Sequence, residues 1–165
     1  MKKVLQRFDF QRVAPNFFAD QRRAWLDNPG RPDLAIVCFS GQASLPWLTL
    51  LRPGFRHCCV LLRCGGGWVH FDPLAHFTFT ALIPDLPVRD LAQLMRRFGY
   101  RTVLTRPAPL PSRTAPWRPH TCVEAVKRTL CLDAPWVLTP WQLFRLLQRR
   151  RRSAAGGPRP RKGPA

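Results

Sequence analysis

An α+β fold, an antiparallel sheet with helices packed on it, is predicted by three features of this chain. Short β-prone runs cluster between residues 34 and 83, a glycine-rich turn joins two of them, and helical spacing recurs after residue 88. The first run, Leu34-Ala35-Ile36-Val37-Cys38-Phe39, is wholly apolar and closed by Ser40-Gly41, as suits a buried strand. His57-Cys58-Cys59-Val60-Leu61-Leu62-Arg63 and Trp68-Val69-His70-Phe71-Asp72 flank Cys64-Gly65-Gly66-Gly67, which reads as a hairpin. Residues 77–83 alternate as a third strand would, and 100–105 should form another.

Apolar residues at 88, 91, 94, 95 and 98 have helical spacing, and Gly99 stands where a C-terminal cap belongs. Residues 106–119 carry five prolines and read as a loop. It delivers the chain to Thr121-Cys122-Val123-Glu124-Ala125-Val126, where Thr121 and Glu124 have capping-box spacing. Residues 136–138 read as extended, and Thr139-Pro140 opens a last helix. A short helix is expected at 16–26, ended by Asn28-Pro29-Gly30. The organisation is thus one α+β domain over 1–148 and a basic tail over 149–165, whose arginine, glycine, proline and alanine predict disorder.

The chain has 165 residues, 45% of them apolar, with eleven Phe and six Trp, enough to build a core without metal or disulfide staples. Its formal charge is +18, and residues 145–165 hold eight positive side chains and no acidic one. That balance favours acidic partners: nucleic acid, another anionic polymer or a membrane surface, contacted without sequence specificity through Arg149, Arg150, Arg151 and Arg152. Glycines 65–67 are followed by no GK[ST] or GxGxxG pattern, so they read as a turn rather than a phosphate cradle. No stretch has the length of a membrane span, and Gln6, Arg7, Asp9, Gln11 and Arg12 interrupt any secretory signal. The expected location is cytoplasmic, with the six cysteines reduced. The small, basic, arginine-rich character also suits a phage protein.

The candidate chemistry centres on Cys122. At the first helical position, free amides and the helix dipole favour an anion and lower a thiol's pKa. A base is supplied if the hairpin pairs Arg63 with Trp68. His70 then lies opposite Leu61 and Asp72 opposite Cys59, and His57, His70 and Asp72 share one face. Cys, His and a polar orienting residue are the parts of a thiol triad, with helix amides to meet a developing oxyanion. Cys58 and Cys59, consecutive in a strand, should point to opposite faces. His57, Cys59, Cys64 and His70 are a conceivable zinc set, but no CxxC pair is present, and neither metal nor cofactor is expected.

The order His57 on a first strand, a polar residue on the next, and a later helix beginning Thr-Cys-Val-Glu-Ala-Val resembles the circularly permuted papain-like superfamily. This group includes permuted NlpC-like cell-wall hydrolases and lecithin retinol acyltransferase-like proteins. The resemblance spans roughly residues 34–132 and implies a papain-like sheet, Cys122 as nucleophile and His57 as base. It leaves Asp72 or His70 as the third residue. Asp72 is preferred, since a carboxylate also stabilises the imidazolium. Cys131 stands where a helix-ending glycine is expected. The implied activity is thiol hydrolysis or acyl transfer on an amide or ester, with cell-wall peptide as the first substrate class. Such a substrate requires export or lysis. The competing reading is a non-catalytic binding or assembly module that uses its basic surface and tail to hold a polyanion.

Overall fold

The computed structural model describes residues 31–43, 45–110 and 118–155, and the helix expected at 16–26 lies outside them. From Pro32 onward the chain forms an α+β unit built on a five-stranded antiparallel sheet. Its strands are β1 (Leu34–Ser40), β2 (His57–Cys64), β3 (Gly67–Pro73), β4 (Thr78–Pro84) and β5 (Arg101–Thr105), in the order β4-β3-β2-β1-β5. Among the described residues three α-helices accompany the sheet: α1 (Val88–Arg97) before β5, then α2 (Cys122–Thr129) and α3 (Pro140–Ala155). The sequence pattern did not announce the short 3-10 helix at Pro46–Leu50, which a proline opens.

The apolar run of β1 is explained by its place. It is flanked by β2 and β5, and every residue from Ala35 to Ser40 is buried. The β2–β3 hairpin has the expected register, with Arg63 opposite Trp68 and Leu61 opposite His70. Gly65 (φ 47°) and Gly66 (φ 114°) form its two-residue loop, a left-handed backbone that side chains resist.

Strand alternation divides the core into two. Val37, Phe39, Cys58 and Val60 pack with Val123 and Val126 of α2 and Leu143 and Leu147 of α3. Ile36, Cys38, Cys59, Leu61 and Trp68 pack with Leu91 and Met95 of α1. Phe39, Phe55, Trp141 and Phe144 form an aromatic cluster that seats α3, with Arg52 stacked 3.7 Å over the Trp141 ring. Trp68, fully buried, satisfies its indole by donating to the Leu86 carbonyl at 2.9 Å.

The helix ends follow the sequence signals. Gly99, in a left-handed conformation at φ 86°, closes α1 and lets the Tyr100 amide donate to the Met95 carbonyl. Cys131 does the same for α2 at φ 55°, with the Leu132 amide donating to the Lys127 carbonyl at 2.8 Å. Thr139 caps α3: its hydroxyl accepts from the Gln142 amide, and the Gln142 side chain accepts from the Thr139 amide. One boundary is corrected. The tail expected to be disordered from 149 is helical through Ala155, because arginine is a good helix former and extends α3 beyond its last buried residue, Leu147. Residues 156–165 lie outside the described residues.

Candidate active site

Two strands and one helix end bring together Cys122, His57 and Asp72. The β2–β3 ladder ends at Val60↔Phe71, whereas β3 stays paired with β4 out to Pro73↔Thr78. Beyond Phe71, β3 has therefore left β2. His57, the first residue of β2, reaches diagonally across, and its Nε2 donates to Asp72 Oδ1 at 2.6 Å. Both side chains are largely buried, which strengthens a charge-assisted bond.

Cys122 is the first residue of α2. Thr121, extended at φ −108° and ψ 162°, accepts at its hydroxyl from the Glu124 amide at 3.2 Å, so the capping threonine takes its expected role. The other half of the capping box does not form. Glu124 turns instead to Lys127 Nζ (2.8 Å) and Arg128 Nε (3.0 Å), two cations that outcompete a neutral amide for its carboxylate. Replacing Thr121 with alanine is expected to cost about 1 kcal/mol, read as a lower midpoint of denaturant unfolding at unchanged slope.

The Cys122 sulfur faces the Cys58 thiol, the His57 ring and the Cys58 backbone amide, all close enough to act on its ionisation. Contact with both the amide of residue 58 and the side chain of residue 57 places the sulfur at the edge of β2. That edge is the one β3 has vacated. Because His57 Nε2 is committed to Asp72, Nδ1 is the ring nitrogen left to face the thiol.

Electrostatics follow from these contacts. The Cys58 thiol hydrogen bond, opposed by burial and reinforced by the His57 hydrogen bond and charge, lowers the Cys122 pKa to about 5. For His57, burial alone would lower the pKa; the Asp72 hydrogen bond, then the Cys122 hydrogen bond and charge, prevail and raise it to about 10. At neutral pH the site holds a thiolate and an imidazolium. Burial pushes the Cys58 thiol well above its ordinary range, so it stays a proton donor.

Of the two residues left open for the third position, the structure brings Asp72 to His57. His70 instead meets the Cys59 thiol and lies edge-on to Phe79, with ring centroids 5.7 Å apart. His120 is exposed. The conceivable zinc set is not assembled as a whole: Cys64 packs toward α2 and α3, whereas Cys59 packs toward α1. The residue that sequence reasoning missed is Cys58. Alternation was right about its side chain, which joins the α2 side, but adjacency to His57 at a strand end was the overlooked signal. Cys38, Cys58, Cys59, Cys64 and Cys122 are free thiols, and no helix among the described residues is long and apolar enough to cross a membrane.

No family model, curated protein or solved structure matches the chain. The site's own geometry is therefore the basis for a functional reading.

Proposed function

We propose that this chain is a thiol hydrolase or acyltransferase of the circularly permuted papain-like class, with Cys122 as nucleophile, His57 as acid and base, and Asp72 as the residue that orients His57. The observation that carries this reading is the His57–Asp72 hydrogen bond beside a cysteine at a helix N-terminus whose sulfur faces the same imidazole. The order of the elements, histidine strand before cysteine helix, supports the permuted class.

In this mechanism the Cys122 thiolate adds to an amide or ester carbonyl carbon. The Glu124 and Ala125 amides are engaged by Thr121, so the preceding amides of Cys122 and Val123 are the donors for the oxyanion. The His57 imidazolium gives its proton to the departing amine or alkoxide, leaving a thioester on Cys122. Water or another nucleophile then attacks the thioester, loses its proton to His57, and restores the ion pair. Asp72 holds the ring with Nε2 protonated throughout. Amide bonds of cell-wall peptides are the substrate class that the resemblance suggests.

Alkylation by iodoacetamide, mapped residue by residue by mass spectrometry, tests the reading. Cys122 is expected to react well below the ordinary thiol pKa of about 8.5, with a midpoint near its own pKa of about 5. An activated ester such as p-nitrophenyl acetate should leave an acetyl group on Cys122. Reaction of Cys122 no faster than the half-buried Cys64 and Cys131 would overturn the proposal.

A second reading is favoured by one observation. Arg145, Arg149, Arg150, Arg151 and Arg152 are all exposed on α3, which carries no acidic residue. Such a helix can hold a polyanion through salt-sensitive phosphate or carboxylate contacts, with or without chemistry at Cys122.

A further inference from the structure

We propose that Cys59, His70 and Asp72 form a binding site for a thiophilic divalent cation of the zinc class. The three side chains stand on the strip of the sheet behind the His57–Asp72 bond, and one donor atom from each lies within 4.8 Å of the others. Register explains the grouping. His70, opposite Leu61, is the diagonal neighbour of Cys59 on the same face, and Asp72 follows two residues later on β3, where that strand has left β2 but stays paired with β4. Paired strands hold all three, so little ordering is required on binding.

Sulfur, imidazole nitrogen and carboxylate oxygen make a borderline-soft donor set, which zinc and its chemical neighbours prefer over calcium or magnesium. A further observation points to a ligand: His70 Nε2 is buried without a hydrogen-bond partner, although the ring meets the Cys59 thiol. Cys38 adds a further thiol beside the set, paired with Cys59 across the β1–β2 ladder and in thiol–thiol contact with it. Cys38 and Cys59 are fully buried, whereas His70 and Asp72 are partly exposed, so an ion enters from the β3 side. Binding takes the Cys59 proton into solvent and forms the metal–sulfur bond. Asp72 has two oxygens, and only Oδ1 is engaged by His57. The site shares Asp72 with the thiol chemistry, in which Cys59 and His70 have no part.

The test is titration of the reduced full-length chain with cobalt(II), followed by displacement with zinc(II). The expected result is a thiolate-to-cobalt charge-transfer band with tetrahedral d–d bands, both removed by zinc. Cys59→Ala and His70→Gln should each weaken cobalt binding by more than about tenfold. His70 is partly exposed, so His70→Gln tests the site without opening a cavity. Cys122→Ala should retain the band. A band lost in Cys122→Ala and kept in Cys59→Ala would assign the metal to the Cys122–His57 pair and overturn the proposal. So would a wild-type spectrum without a thiolate band.

Discussion

Replacing His57 with alanine is expected to move the midpoint of Cys122 alkylation upward from about 5 by about one to three pH units, the range over which a neighbouring charge and hydrogen bond act. The rise stops short of the full return to an ordinary thiol, because the Cys58 thiol and amide, the first of them the largest contribution, still face the sulfur. At pH 6 the alkylation rate should fall less than the thiolate population does, since a more basic thiolate is intrinsically the better nucleophile. Turnover of an amide or unactivated ester should drop by about 10²–10⁴-fold, because His57 also protonates the leaving group. Asp72→Asn should give a smaller rise in the midpoint, as the ring loses its charged partner but keeps the thiol. A midpoint unchanged in His57→Ala would remove the ion pair from the account.

The second large effect concerns the helix that carries the nucleophile. Glu124 and Lys127 are both buried, and Lys127 Nζ donates to Glu124 at 2.8 Å and to the Ala134 carbonyl at 3.1 Å. Glu124→Ala leaves a buried ammonium without its counter-charge and should cost about 3–5 kcal/mol in unfolding free energy, measured by denaturant titration. The Arg128 contact adds little, since that side chain is half-exposed. The double variant Glu124→Leu with Lys127→Met should lose much less than Glu124→Ala alone, because no buried charge is then left unpaired. Burial opposes ionisation of Glu124, but Lys127 and Arg128 outweigh it and hold the carboxyl below its ordinary value. Its contribution is therefore present above the ordinary carboxylate range and fades as pH falls through the lowered value. A double variant as unstable as Glu124→Ala would contradict this account.

Much of the site was legible because a two-residue glycine loop fixes a hairpin's register. Once Arg63 faced Trp68, His57, His70 and Asp72 had to share a face, and only the diagonal distance decided which carboxylate or imidazole met His57. Thr121 marked the helix start for an equally local reason. Cys58 escaped because alternation describes side chains over a sheet, whereas Cys122 approaches the strand edge, where the backbone amide also takes part. Glu124 escaped because the capping box is one of several bonds that a glutamate can make, and the cations three and four residues on won it. The helical extent of α3 past Leu147 was hidden because the apolar period ends there while helix propensity does not.

The departure of β3 from β2 beyond Val60↔Phe71 has a consequence for how the His57–Asp72 pair responds to heating. His57 is anchored on a strand still paired with buried β1, while Asp72 hangs on the outer β3–β4 layer, whose edge strand is mostly exposed. The end of β3 beyond Phe71 has no ladder bond to β2, so its local opening requires less free energy than global unfolding, which must also free the buried Trp68. Each such excursion separates Asp72 from His57 while α2, β1 and β2 stay folded. The imidazole is expected to lose its anchor before the protein melts, so the enhanced reactivity proposed for Cys122 should fade in a transition separate from denaturation.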